Sequence, residues 1–237
     1  MYNLKSLCPT ERNIGDGTWD IFCDFDGTIS LADITDTLLE SFATSAWQEI
    51  EQAWQAGAIG SRECLARQIP LLDMSRSDLD LHLDALAIDA DFPAFVAEAQ
   101  GRGHKITVVS DGLDYAIRRI LARYELSSIS IVANSLQQQG ERAWQLTFPN
   151  FNANCLVASG NCKCATVDQI QSYTTSNRRS LLIGDGTSDF CAAQKVDFVF
   201  AKHKLIDHCT QRNLPHFTIQ GFADARHLLE KLDRMVY

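Results

Sequence analysis

Residues 19–28, WDIFCDFDGT, constrain the fold more than any other stretch, because an apolar run breaks off into two carboxylates and a glycine turn. Trp19, Ile21, Phe22 and Cys23 read as a buried β-strand, and Asp24 and Asp26 share one face of the extended segment that continues it. This is the pattern of the C-terminal edge of a parallel sheet, and open α/β sheets bind ligands beyond the carboxyl ends of their strands. Two carboxylates this close need either a cation or a division of labour in which one keeps a proton. For the tripeptide alone, a solvated turn is the competing reading.

The rest of the composition narrows the setting. A chain of 237 residues, 46% hydrophobic, has material for one large core or one core with a small accessory domain. A net charge of -9 and the lack of any basic run argue against nucleic acid as a partner, so an anionic substrate would have to be drawn in by a local metal and a few basic groups. No stretch approaches the ~18 consecutive apolar residues of a membrane span, and residues 1–18 read as a polar peripheral arm without the apolar core of a secretory signal. The expectation is a cytoplasmic protein. Among its eight cysteines, Cys23 in a predicted strand and Cys191 in a predicted helix suit small hydrophobes in a reducing compartment.

After Thr28, apolar positions at Leu38, Leu39, Phe42, Ala46, Ile50, Ala53 and Trp54 predict one helix from near Asp36 to about Gly57. Further helices are predicted at Ser61–Gln68, Ser77–Leu83 and Phe92–Gly101. The next buried strand is KITVVS, 105–110, so more than seventy mostly helical residues follow the first strand, where a β-α-β crossover needs roughly thirty in all. The excess, residues 34–90, reads as a helical cap placed above Asp24 and Asp26, with residues 1–33 and 91–237 forming the α/β core.

Strand 105–110 ends in Ser110-Asp111-Gly112 ahead of a helical pattern, a hydroxyl and amides suited to phosphate oxygens, although the same tripeptide makes an ordinary turn and N-cap. Asp114 either serves the cap region or favours the helix start. A strand at 128–135 leads into a hairpin-like excursion that carries Cys155, Cys162 and Cys164. These three thiols are candidates for zinc, with Asp168 a poor fourth ligand, for an oxidised pair, or for simple packing. Lys163 opens a helical segment, where the dipole repels an ammonium, so a functional lysine competes with an exposed one. Residues 180–189, SLLIGDGTSD, repeat the opening theme: a buried strand ends at Asp185, with Asp189 four residues on, as hard oxygen ligands for Mg²⁺.

The ordered set of DFDGT at 24–28, Ser110 in SDG, Lys163 and GDGTSD at 184–189 resembles the haloacid dehalogenase superfamily of phosphohydrolases, from Trp19 onward. The resemblance implies an α/β fold, a Rossmann-like parallel sheet core with a helical cap inserted after the first strand. It also implies an aspartyl-phosphate intermediate with Asp24 as nucleophile, Asp26 as general acid/base, Ser110 with Asp111 and Gly112 at the phosphate, and Lys163 balancing charge. Mg²⁺ would be held by Asp24, the Asp26 backbone oxygen, Asp185 and Asp189.

The insertion point is similar to the branch that includes phosphoserine phosphatase. DFDGTISLADIT, ARQIPLL, SDGLDY and the cysteine-flanked lysine are most similar to the methionine-salvage family that hydrolyses 2-hydroxy-3-keto-5-methylthiopentenyl-1-phosphate. That likeness places Asp33 and Arg67 against the substrate, and allows a homodimer. The chain departs from both relatives in having Asp33 where phosphoserine phosphatases carry glutamate, and Ser-Asp-Gly where Ser-Gly-Gly is usual. The alternatives are phosphoserine as substrate, a phosphomutase, or a noncatalytic protein that binds metal or a phosphorylated effector.

Overall fold

A computed structural model describes residues 17–155, 157–173 and 178–234, so most of the N-terminal arm lies outside the described residues. Its centre is β1 (Trp19–Cys23), from which the sheet grows both ways in the order β4-β3-β2-β1-β5-β6-β7. Here β2 is Lys105–Leu113, β3 Ser130–Gln138, β4 Trp144–Thr147, β5 Arg179–Gly184, β6 Phe198–Ala201 and β7 His216–Thr218. All neighbours are parallel except β4, which runs back along β3. The α/β core with inserted helices therefore stands as read from the sequence, with an antiparallel edge strand added.

Alternation along β1 decides what each face packs against. Trp19, Ile21 and Cys23 join one large cluster with Phe92, Ile117 and Leu229, from α5 (Phe92–Gly101), α6 (Asp114–Ala122) and α10 (Phe222–Arg234). Phe22 turns to the other face, where Val167, Ala192, Leu205 and Cys209 come from α7 (Lys163–Tyr173), α8 (Phe190–Ala193) and α9 (His203–Arg212). Both faces of the strand are covered, which is why WDIFC is apolar nearly throughout.

Four helices fill the insertion: α1 (Ile34–Phe42), α2 (Trp47–Gln55), α3 (Ser61–Gln68) and α4 (Arg76–Ala85). The single helix expected over 36–57 is two. Ala43 turns extended and bridges to Leu72, while Phe42 O accepts from Asp73 N, so a tertiary backbone pairing overrides a continuous apolar periodicity. At the base of the insertion, Ser30 bridges Ile88 and Asp89 N donates to Ile29 O. Leu38, Ile69 and Leu79 belong to the same buried cluster as Ile21, so the insertion's interior runs unbroken into the sheet's. Among the described residues no helix is long and apolar enough to cross a membrane.

Candidate active site

Register assembles the site. Cys23 is level with Val108 on one side and Ile183 on the other, so Asp24 and Asp185, just past β1 and β5, and Ser110, in β2 where its pairing with β3 breaks register, reach the same edge of the sheet. They do so where the chain order reverses across β1, the crevice in which open α/β sheets take ligands. Asp24 N donates to Ile183 O at 2.9 Å and continues the pairing one residue beyond the strand.

Lys163 comes from the first turn of α7 and is 2% exposed. Its Nζ lies 2.7 Å from both Asp24 Oδ1 and Asp189 Oδ1. Burial disfavours its charge, but Asp189 and Asp24 outweigh burial and hold the ammonium above the usual lysine range. Asp24 Oδ1 also accepts from Phe25 N at 2.7 Å, whereas no described residue donates to Asp24 Oδ2. Burial first, then Asp189, push the Asp24 carboxyl upward against the pull of Lys163.

Asp185 and Asp189 play different parts. Asp189 is fully buried, with Oδ1 on Lys163 and Oδ2 accepting from the amides of Asp185 and Gly186. Asp185 is half-buried and, among the described residues, accepts on its side chain only from the Thr28 hydroxyl at 3.2 Å; burial and then Asp189 raise its carboxyl. One oxygen from each of Asp24, Asp185 and Asp189 lies within 4.8 Å of the other two. Three carboxylates against one ammonium leave two negative charges unbalanced, and an all-oxygen set fits a divalent cation of the Mg²⁺ or Ca²⁺ type.

Asp26 is held on the opposite flank. Its Oδ1 accepts from Ile34 N at 2.9 Å and its Oδ2 from the Ser110 hydroxyl at 3.4 Å. Burial, with a contribution from Asp33, pushes its carboxyl up to about 8 against the Ile34 amide, Lys163 and Ser110. Gly112 makes this approach possible, since a Cβ there would stand 2.5 Å from Asp26 Oδ2. Gly27 is required for a second reason as well: its φ of +71° disfavours any side chain, and a Cβ would stand 2.7 Å from Asp185 Oδ2.

These groups open into a cavity of about 1200 Å³ whose outer wall comes from α1 to α3. Asp33 lies in it as expected, but Oδ1 also caps α1 by accepting from Asp36 N. Asp111 lines it too, with its oxygens committed to structure: Oδ1 takes Asn161 N and Asn134 Nδ2, and Oδ2 the Ser61 hydroxyl of α3. Arg67 is not brought to the site. On α3, Ser61, Cys64, Leu65 and Gln68 share the inward face, so Arg67 falls on the outward one, half-exposed and paired with Glu63. Asp168 pairs with Lys195. Asp114 Oδ1 accepts from Leu136 N, tying α6 to β3.

Sequence reasoning did not single out Lys202, Asn161, Glu51 or Gln68. Lys202 Nζ donates to Gly27 O at 2.9 Å and fastens the turn after Asp26, while Asn161 Nδ2 bridges Ser110 O and Val132 O at 2.8 Å each. Gln68, 2% exposed, donates to Glu51 Oε2 across the cavity wall. Nothing local marks them, because each acts on a partner distant in the chain.

Residues 21–194 match the family model of the haloacid dehalogenase-like hydrolases. A protein of Brevibacillus brevis described as 2-hydroxy-3-keto-5-methylthiopentenyl-1-phosphate phosphatase is 29% identical over 219 residues, covering 91% of this chain and 97% of its own. Its namesake from an Exiguobacterium species is 30% identical over 207 residues, covering 86% and 94%. Among solved structures, a substrate-bound phosphoserine phosphatase superposes with a TM-score of 0.67 at 16% identity, covering 90% of this chain and 97% of that one. The chain belongs to the haloacid dehalogenase-like hydrolases, shares its fold with phosphoserine phosphatase, and has proteins described as 2-hydroxy-3-keto-5-methylthiopentenyl-1-phosphate phosphatases among its relatives.

Proposed function

We propose that this protein hydrolyses a small phosphomonoester through an aspartyl-phosphate on Asp24, with Mg²⁺ as its cation. The reading is carried by the asymmetry of Asp24, whose Oδ1 is clamped by Lys163 and the Phe25 amide while Oδ2 has no described donor. Asp24 Oδ2 attacks phosphorus and the ester oxygen leaves; Asp26, raised by burial and Asp33, gives that oxygen its proton. Water then attacks the acyl phosphate as Asp26 takes a proton back, releasing phosphate and freeing Asp24. Lys163 and the Ser110 hydroxyl balance charge at the phosphoryl oxygens. Asp24, the Asp26 carbonyl, Asp185 and Asp189 would hold the metal, which when bound supplies Lewis-acid neutralisation of the phosphoryl charge. Residues 34–90 serve as the cap over this centre, and 1–33 with 91–237 as the core. Trapping with a phosphate analogue and peptide mass mapping tests the mechanism: the modification belongs on Asp24, and a chelator abolishes turnover while leaving the far-UV circular dichroism unchanged.

We propose 2-hydroxy-3-keto-5-methylthiopentenyl-1-phosphate as the first substrate, after the curated relatives, and phosphoserine as the second reading. The make-up of the cavity wall favours the first. Asp33, Asp36 and Glu51 face the space where the leaving group would lie, and the basic side chains in the lining are His203 and Lys204. The serine of phosphoserine could set its ammonium against these acids, but with Arg67 turned outward its carboxylate meets no guanidinium; an uncharged enol-ketone can donate to the wall and leaves no charge unpaired. Ile59, Leu65 and Trp54 offer apolar surface for a thioether. Turnover of both esters side by side decides: a higher kcat/KM for phosphoserine reverses the order, and no turnover of either removes both.

A further inference from the structure

Outside the carboxylate cluster, the densest reactive group is a row of thiols at the start of α7. Cys162 Sγ lies 3.4 Å from Cys164 Sγ, with Cys155 near enough to Cys162, and Cys191 to Cys164, for their charges to interact. Cys162 is fully buried; Cys155 and Cys164 are partly exposed. Among the described residues only Asp24, Asp185 and Asp189 bring three donor atoms within 4.8 Å of one another, so the sulfurs form a row and not the compact set that a thiophilic metal requires. Cys162 and Cys164 flank Lys163, whose ammonium is held at 2.7 Å by two buried carboxylates.

We propose that Cys155, Cys162 and Cys164 form a modification site, an oxidisable thiol row in which hydrogen peroxide reacts at Cys155 and Cys162 closes the disulfide. The Cys155 thiolate displaces water from the peroxide, becoming a sulfenic acid, and the Cys162 sulfur then attacks it with loss of a second water. Two thiols are oxidised to one disulfide as one peroxide is reduced to two waters. Cys164, next in the row, can exchange into that disulfide by attacking the Cys162 sulfur and releasing Cys155.

The environment of Cys155 suits the first step. Burial opposes its ionisation, but the Ser159 hydroxyl at 3.1 Å and the amides of Ser159 and Val157 bring the thiol below its ordinary range. The consequence reaches the cavity by two routes. Val157, Ala158 and Ser159 line the cavity mouth, and Ala158 is locked against α3, its O accepting from Arg62 N while a Cβ on Gly60 would stand 2.5 Å from Ala158 Cβ. A disulfide needs sulfurs about 2.05 Å apart, so closing it moves the backbone that leads directly into Lys163. A displacement of about 1 Å at such a centre costs on the order of 10²-fold in rate.

The test uses reduced full-length protein and equimolar hydrogen peroxide, read by thiol titration, non-reducing peptide mass mapping and p-nitrophenyl phosphate turnover. The expected result is loss of two thiols per chain, a disulfide joining Cys162 to Cys155 or Cys164, and a fall in turnover of ~10-fold or more that dithiothreitol reverses. Cys162→Ser should resist, and Cys155→Ser, at a partly exposed position, gives an independent reading should the buried substitution disturb folding. A first disulfide elsewhere, sulfinic acid on Cys155 with no disulfide, or equal inactivation of wild type and both variants would overturn the proposal. Mapping stands without turnover, so its outcome is separable from that of the phosphatase mechanism.

Discussion

The floor and the outer wall of the cavity are both acidic, yet they are built on different principles. On the floor, Asp24, Asp26 and Asp185 lie in the turns that follow β1 and β5, with Asp189 one helical turn further on, and each is held by a backbone amide, a buried lysine or a hydroxyl. On the wall, Asp33, Asp36 and Glu51 come from helices, are partly or fully open to solvent, and have Gln68 and the α1 amides as partners. Strand register sets the floor, whereas helix phase sets the wall. A floor of this kind is intolerant of change, and a wall of this kind can be retuned without loss of the fold.

The sharpest break of the contrast is Asp24→Asn, which leaves the shape of the floor and removes the attacking oxygen. Turnover should fall on the order of 10⁴-fold or more, measured beside a thermal melt that shows the chain still folded. Next, Lys163→Met in chelator-containing buffer strands Asp24 and Asp189 in the interior, and urea unfolding should record a loss of about 3–5 kcal/mol. Adding Asp189→Asn to it should recover part of that loss, an outcome that simple loss of side-chain packing would not produce.

Gly112→Ala tests the floor from the backbone side. Its Cβ would press on Asp26 Oδ2, so kcat should drop by ~10²-fold with a much smaller change in KM, read by steady-state kinetics. The wall should respond more mildly and in the other parameter: Gln68→Ala removes one of the donors that hold Glu51 and raises KM by roughly 10-fold, while Arg67→Ala stays within about twofold of wild type because its guanidinium pairs with Glu63 on the outer face. A larger effect from Arg67 than from Gln68 would mean that the cap helices take up a different phase in the working enzyme.

The smallest expected effect concerns stability. Asp36 is raised from its ordinary 3.8 to about 7, by burial first and then by Asp33 and Glu51. Between those two values the folded chain keeps a proton that the unfolded chain has released, so stability declines as pH rises from about 4 to about 7. Asp36→Asn should flatten that slope and raise the Tm at pH 8, by less than ~1 kcal/mol because the site is half open to water. A lower Tm at pH 8 would show that the wall carboxylates stabilise the fold.

The chemistry was readable in the chain because its bearers are local. WDIFCDFDGT, KITVVSDG and SLLIGDGTSD each carry a strand, its end and the acid or hydroxyl in one short run, and the point where the apolar run breaks off places those side chains at the sheet's edge. Lys163 was found by the oddity of an ammonium at a helix start. Asp111 and Arg67 fared differently. Asp111 stands in the right place with its oxygens spent on Ser61, Asn134 and Asn161, and Arg67 misses the cavity by one helical position relative to Gln68. Local pattern states which residue types are near a site but not which way a helix is turned.

What the sequence alone determined is therefore the α/β class, the insertion after β1 and the identity of the strand-end acids, since each follows from short-range periodicity and from spacing along the chain. Only the tertiary structure decided the break between α1 and α2, the turn of α3 that exchanges Arg67 for Gln68, the clamp of Lys202 on Gly27 and the row of sulfurs beside Lys163. Those features depend on contacts between residues far apart in the chain, whose geometry is set by how whole elements pack, and packing is a property of the assembled core that no single stretch contains.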